Sequence, residues 1–390
     1  MTTRSESCKT RLIYLDAAAT SFQKPPEVTA AVKNYLRHQS GNPGRGSHKL
    51  ALAAAEEVYA CREAAADLFG SPHPERVVFT MNTTQALNLA LFGTLKAGDH
   101  VLCSDMEHNS VLRPLFALRA AGIITYDTFS TFPDAPYRTD DMILLDIERK
   151  LTPKTRMIVC THAANICSLV LPIRAIGRLC RERGILFVVD AAQAAGIYDI
   201  NMERDYIDAL CVPGHKGLMG PQGVGMLLSG ERLTPSPLIF GGNGVSSLSG
   251  EMSAELPERL EAGTLPGPAI AGLRAGISFI RREGVESIRN QETVLGRRLM
   301  KGLIHMPHVK VYAPRHEGGV ILFSVHGRSS EEVGAFLDRQ GICVRAGFHC
   351  NALGHKTLGT PESGAVRASF GYFNTEKECD LLLSAVGLLG

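Results

Sequence analysis

From about position 15 to position 230 the chain alternates short β-branched or apolar runs with longer helix-like stretches. That is the pattern of a parallel sheet whose strands are joined by crossover helices. The runs 77–80, 100–104, 122–126, 157–161, 185–190, 209–212 and 224–228 predict strands. Around them, 27–38, 50–69, 84–95, 110–121, 140–150 and 173–183 predict helices. No internal repeat is present. After 230 the character changes: a Gly/Ser-rich stretch at 241–250 precedes a helical pattern from about 268 through 302, which predicts one long helix linking two domains. The remainder predicts strands at 309–312, 319–325, 343–345 and 365–370, a helix at 330–340 and a last helix from 375. This order suggests a small α+β domain with a mostly antiparallel sheet.

A chain of 390 residues exceeds what one core usually organises. The expected division is a large α/β domain over 15–265 and a smaller C-terminal α+β domain over 266–390 that also takes in the N-terminal segment 1–14. With 45% hydrophobic and 21% charged residues the composition is that of an ordinary α/β protein, not of a disordered one. A formal net charge of +2 argues against nucleic acid or a membrane surface as the partner. The first eleven residues lack the apolar core of a secretory signal, and no stretch has the apolar length of a membrane span, so a cytoplasmic location is expected. Ten cysteines without a CxxC pair or regular spacing suggest neither a zinc knuckle nor a disulfide framework.

The strongest local signal is Leu186-Phe187-Val188-Val189-Asp190-Ala191-Ala192-Gln193, an apolar strand that ends directly in a carboxylate. Open α/β sheets bind ligands beyond the carboxyl ends of their strands, so Asp190 is placed to meet one. Pro213-Gly214-His215-Lys216-Gly217 follows another strand and presents a lysine bracketed by glycines, which permit close approach of backbone and ligand. An Asp that pairs with a protonated pyridine nitrogen and a Lys that forms a Schiff base are the two groups pyridoxal phosphate requires. Taken singly, a strand-terminal Asp is more often a turn or capping residue and a lone Lys a solvated charge. Asn82-Thr83-Thr84-Gln85 reads as a strand-to-helix junction rich in hydroxyls, equally suited to a helix cap and to a phosphate.

Together with Tyr14-Leu15-Asp16-Ala17-Ala18-Ala19-Thr20, these segments resemble the class V aminotransferase superfamily of fold-type I pyridoxal phosphate enzymes. Within it, the chain looks most like the cysteine desulfurase and selenocysteine lyase branch. The resemblance runs from about Tyr14 to the C-terminal helix, and the motifs stand in the family's order. It implies a mostly parallel seven-stranded sheet in the large domain and pyridoxal 5'-phosphate as cofactor. It also implies that Lys216 binds the cofactor covalently, that Asp190 meets the pyridinium nitrogen, and that Gln193 bonds the phenolic oxygen. His108 matches a histidine that stacks on the ring and moves protons, and Thr83, Thr84 and His215 match the phosphate side. Pro213 stands where the family often has a serine. Thr264, in Glu261-Ala262-Gly263-Thr264, resembles the segment that reaches a neighbouring subunit's phosphate, which implies a homodimer.

For the substrate, Arg367 matches the arginine that clamps the amino-acid carboxylate, a task suited to a planar bidentate donor. Asn165 matches an asparagine beside substrate and cofactor, while Arg45 and His48 resemble a loop at the mouth of the site. Arg345-Ala346-Gly347-Phe348-His349-Cys350 resembles the nucleophile segment of the group with a short catalytic loop, with Phe348 in place of the first of two histidines. A thiol near His349 in a basic neighbourhood is expected to ionise readily and act as the nucleophile. Arg345 and His349 are therefore candidate substrate-side residues with Cys350. No metal is expected, because His349, Cys350 and His355 lack a fourth ligand at matched spacing. The implied reaction is conversion of L-cysteine, and by a similar route L-selenocysteine, to alanine, with a persulfide on Cys350 and a sulfur-acceptor protein downstream. Two other readings stay open at this level: a class V lyase or aminotransferase in which Cys350 has no covalent role, and a scaffold of sulfur transfer that has kept the fold.

Overall fold

The computed structural model describes residues 12–44, 46, 48–133, 140–245, 247–315 and 317–390. The chain begins with β1 (Ile13–Tyr14), α1 (Pro26–His38) and α2 (Lys49–Leu68). The alternating region follows: β2 (Val77–Thr80), α3 (Thr83–Phe92), β3 (Asp99–Ser104), α4 (Asn109–Ala120), β4 (Ile124–Phe129), α5 (Asp140–Lys150), β5 (Thr155–Thr161), α6 (Ile173–Glu182), β6 (Leu186–Asp190), β7 (Ala209–Pro213) and β8 (Gly225–Ser229). Then come α7 (Gly267–Glu283), α8 (Val285–Ile304), β9 (Val309–Tyr312), β10 (Val320–Val325) and α9 (Ser330–Arg339). The last elements are β11 (Ile342–Cys343), β12 (Arg345–Gly347), α10 (Ala352–Thr357), β13 (Ala365–Ser369) and α11 (Glu376–Gly387).

All seven expected strands join one sheet, in the order β2-β8-β7-β6-β5-β3-β4. Only β8 runs against its neighbours, pairing antiparallel with both β7 and β2. Strands β5, β6, β7 and β8 are buried along most or all of their length, which explains why they read as continuous apolar runs rather than alternating ones. The second sheet, β12-β13-β10-β9, is antiparallel throughout.

Two details differ from the sequence pattern. The predicted helix over 268–302 is two helices, α7 and α8, that meet at Gly284, whose φ of +83° turns the chain. Helix α7 packs on α1 and α2 and places Ile270, Leu273, Ile277 and Ile280 in the core of the large sheet. The predicted strand over 343–345 is also divided. Ile342–Cys343 pairs in parallel with Ile13–Tyr14, whereas Arg345–Gly347 pairs with β13 in the second sheet. A two-residue strand such as β1 carries no period to detect; its partner lies some 330 positions away in a register only tertiary packing sets.

One buried ion pair ties the edge of the large sheet to the segment beyond it. Arg62 of α2 meets Glu261 in a bidentate pair at 2.8 and 2.6 Å, and its guanidinium also donates to the Val77 carbonyl of β2. Glu261 in turn accepts from the Phe79 amide at 2.6 Å. Replacing Arg62 with Ala leaves the carboxylate buried and unpaired, and should cost about 3–5 kcal/mol in urea denaturation. The double variant Arg62→Met/Glu261→Leu should recover most of that loss.

Candidate active site

The site begins where the large sheet ends. The Asp190 side chain turns back to accept from the Ala192 amide at 2.9 Å, which closes β6 and opens the following turn. Asp190 is 2% exposed, and burial raises its pKa against the pull of the Ala192 amide and of Lys216. On the far side of β7, burial pulls the Lys216 amine down to about 8, partly offset by Asp190. The bracketing glycines answer to packing: a Cβ on Gly214 would come within 2.8 Å of the Val224 carbonyl, and one on Gly217 within 2.3 Å of the Ala195 carbonyl. Close approach of backbone to backbone is therefore what fixes the lysine's loop.

A cavity brings together Thr83, Thr84, His108, Asn165, Asp190 and Gln193 with His215 and Lys216, all of them named from the sequence. At its far wall the side chain of Asn82 caps α3, accepting from the Gln85 amide at 3.0 Å. The Thr83 hydroxyl lies buried there without a partner, and Thr84 bonds Ser110 at 2.8 Å. A helix start with an orphaned hydroxyl suits a phosphate. Pro213 lines the same wall and brings no hydroxyl. His108 caps α4, its Nδ1 accepting from the Ser110 amide at 3.0 Å, so Nε2 is the nitrogen left for a ligand. Burial first and then Lys216 push His108 down to about 4, and burial likewise pushes His215 to about 4, so both rings stay neutral near pH 7.

The segment Tyr14–Thr20 explains itself as a strap. Its Ala18 carbonyl accepts from the Gln193 amide at 2.8 Å, the Thr20 hydroxyl meets His215 Nδ1 at 3.0 Å, and the Ala18 amide donates to Ser369 at 2.9 Å. Asp16 reaches Arg367 at 2.5 Å. Arg367 is 1% exposed, donates through its other terminal nitrogen to the Asn165 carbonyl at 2.8 Å, and keeps a buried Nε–H with no acceptor. That unused donor is where an incoming carboxylate has something to gain.

Of the described cysteines, Cys350 is the exposed one. Its carbonyl accepts from the Asn109 amide at 2.8 Å, one residue beyond His108, which pins the thiol's loop beside the cavity. An Arg345 terminal nitrogen stands 3.7 Å from the sulfur. His349 does not take the place expected of it. Its ring is buried, with Nε2 on the Arg345 carbonyl at 3.0 Å and Nδ1 on His355 at 3.1 Å, and it is absent from the cavity wall. The charged neighbour of the thiol is Arg345, and His349 holds the loop. Thr264 is exposed and takes a bond from Asn42 at 3.3 Å, away from this chain's own cavity. His48 caps α2, and Arg45 lies outside the described residues.

Three residues that matter were not singled out from the sequence. Asn351, fully buried, donates to the Met106 carbonyl at 3.0 Å and to Asn165 Oδ1 at 2.8 Å while accepting from the Gly354 amide at 2.7 Å. An Asn just before a helix is a capping signal that could have found it. Asn165 completes this clasp by donating to the His349 carbonyl at 2.8 Å. Asp16 and Ser110 carried no signal beyond the motifs around them.

A buried Asp and a half-buried Lys at the carboxyl edge of a mostly parallel sheet, facing a helix start, define an enzyme fold built around pyridoxal phosphate. The chain belongs to the aminotransferase class-V family, whose model matches residues 13–382. It is 32% identical to a probable cysteine desulfurase of Synechocystis sp., over 96% of this chain and 90% of that one. A probable cysteine desulfurase of Methanothermobacter thermautotrophicus is also 32% identical, over 95% and 92% of the two chains. Among solved structures, the apo cysteine desulfurase of Thermococcus onnurineus NA1 superposes with a TM-score of 0.88 at 32% identity, covering 97% and 94%.

Burial pushes His349 down to about 3 from an ordinary value of 6.5. Between these values the unfolded chain binds the proton and the folded chain does not, so this group's contribution to stability falls as the pH drops through that window. Glu107 and Glu292, both pushed up to about 8 by burial, act in the opposite sense. The single-site difference is therefore the readout. His349→Gln should lower proton uptake on unfolding at pH 5 by about one, measured from the pH dependence of denaturation against the parent protein.

Proposed function

We propose that this chain is a pyridoxal 5'-phosphate-dependent cysteine desulfurase that converts L-cysteine to L-alanine and holds the released sulfur as a persulfide on Cys350. The observation that carries the reading is the exposed Cys350 thiol, pinned through its carbonyl to Asn109 beside the Lys216–Asp190 cavity. The orphaned Thr83 hydroxyl, the neutral His108 and the buried Asp190 fit the cofactor's phosphate, ring face and pyridine nitrogen. Gln193 would hold its phenolic oxygen, Lys216 its carbonyl carbon, and Thr84 and His215 its phosphate together with Thr83. Thr264, exposed here, would reach the phosphate in a second copy, which makes the working form a homodimer.

When bound, pyridoxal phosphate supplies an electron sink for the pair released at the substrate's α-carbon. Arg367 binds the substrate carboxylate, its free Nε–H adding to the nitrogen now held by Asp16, which has to yield. With a pKa near 8, the Lys216 Nζ exchanges a proton close to neutral pH and so can take it from the α-carbon and return it. The Cys350 sulfur, 3.7 Å from an Arg345 terminal nitrogen, is the nucleophile, and it attacks as the thiolate. That thiolate forms a sulfur–sulfur bond as the substrate's carbon–sulfur bond breaks. The carbon keeps the electron pair and takes up a proton, so sulfur is oxidised as carbon is reduced and no outside oxidant is needed. L-selenocysteine fits the same site, and a sulfur-acceptor protein would relieve Cys350 of its persulfide.

Residues 15–265 serve as the cofactor-binding domain and 266–390 as the domain that carries the cysteine, with α7 fastening the second to the first. A cytoplasmic location agrees with the absence, among the described residues, of any helix long and apolar enough to cross a membrane.

Borohydride reduction and peptide mapping should find the cofactor on Lys216, and Lys216→Ala should abolish turnover; a label on another lysine would sink the assignment. Cys350→Ser should keep cofactor and substrate binding while alanine formation from L-cysteine falls by roughly 10³-fold or more. Mass spectrometry after one turnover should add one sulfur at Cys350. Undiminished alanine formation by that variant would instead favour a class V lyase without a covalent cysteine.

A further inference from the structure

A second cavity, open in part to solvent, adjoins the one just described. The two share Ala192, Gln193 and Lys216, and nothing in the reaction above uses the rest of the second one. Its walls gather six aromatic rings: Tyr14 and Phe22 from the N-terminal strap, Tyr198 from the turn after β6, and Phe370, Tyr372 and Phe373 from the loop after β13. Only 6% of the chain is aromatic, so this wall concentrates rings that the sequence otherwise scatters.

Among these rings lies Glu292 of α8, which lines the cavity and is 7% exposed. Its carboxylate has no hydrogen-bond or ion-pair partner among the described residues. Gly319 stands against it: a Cβ there would come within 3.2 Å of Glu292 Oε2, so the absence of a side chain leaves the carboxylate its place. A buried carboxylate without a counter-charge is expensive to keep ionised, and burial alone pushes Glu292 up to about 8. Ring faces carry negative potential and attract cations. The wall already does so once, with the Arg289 guanidinium carbon 4.8 Å from the Tyr198 ring centroid.

We propose that this cavity binds an organic ammonium ion with an apolar body, its charge on Glu292 and its carbon skeleton against the aromatic walls. A neutral apolar molecule would leave Glu292 without a partner, and an anion would meet it as a like charge. The inference does not rest on the desulfurase reading, since it needs only the cavity and its carboxylate.

The test is calorimetric titration of the holoenzyme with benzyltrimethylammonium, chosen because a quaternary nitrogen cannot react with the cofactor's carbonyl. The titratable groups facing the cavity besides Glu292 are Tyr14, Cys167, Tyr198, Lys216, Tyr372 and Glu378. Glu378 already accepts from Asn374 and Thr375, and Lys216 is occupied by the cofactor in the holoenzyme. Ionisation of Glu292 should therefore tighten binding about tenfold between pH 7 and pH 9. Neutral benzyl alcohol should show no such dependence. Glu292→Gln should bind the cation at least about tenfold more weakly at pH 9 and lose the pH dependence. If that variant fails to load cofactor, the pH dependence of the parent protein decides alone. No heat of binding, binding that ignores pH, or equal affinity in Glu292→Gln would each overturn the proposal. Alanine formation from L-cysteine, measured separately, keeps its failure distinct from that of the desulfurase reading.

Discussion

Everything at the site depends on keeping two opposite charges, a buried Asp190 and a half-buried Lys216, at the carboxyl ends of neighbouring strands. Asp190 closes β6 and Lys216 follows β7, and the parallel pairing of Asp190 with Cys211 sets their spacing. Neither charge belongs in an apolar interior alone. Burial raises the acid and lowers the base, while each partly restores the other. The result is an acid and an amine whose charges each depend on the other.

Two short segments bring the second sheet to this pair. The strap 14–20 bonds Gln193 and His215 on the large-sheet side and Ser369 and Arg367 on the other. Facing it, the loop 349–351 holds His349 and Cys350 at φ of +51° and +54°, a left-handed conformation that side-chain-bearing residues rarely adopt. Strain of about 1–3 kcal/mol per residue persists only where the surroundings over-determine the backbone. Here the Asn351–Asn165 clasp, the Asn109 amide and the buried His349–His355 pair supply that constraint. The loop's shape is thus maintained by side chains and backbone groups around it, and it is what turns the Cys350 thiol outward.

Much of this was legible in the chain. Apolar runs located β5 to β8 most directly, because strands buried on both faces leave no other pattern. The carboxylate closing one run and the lysine after the next were visible as departures from it. Other features were not. Gly284 divides a helical pattern that periodicity alone reads as continuous, since one glycine is tolerated inside a helix and only the observed φ shows that it turns the chain. The placement of His349 was hidden for a related reason: adjacency to Cys350 in sequence says nothing about direction, and the ring is buried while the Cys350 thiol is exposed.

What the sequence by itself determined is therefore the local chemistry and its order: which strands are buried, which carboxylate and lysine follow their ends, and which cysteine lies in a basic stretch. Tertiary structure decided which of these groups meet. Asp16 finds Arg367, Asn165 finds Asn351, and Glu292 has no partner among the described residues, although rings drawn from three separate stretches of chain surround it. Such contacts join positions hundreds of residues apart, and their energies come from burial and register. Neither leaves a period or a spacing in the sequence to be read.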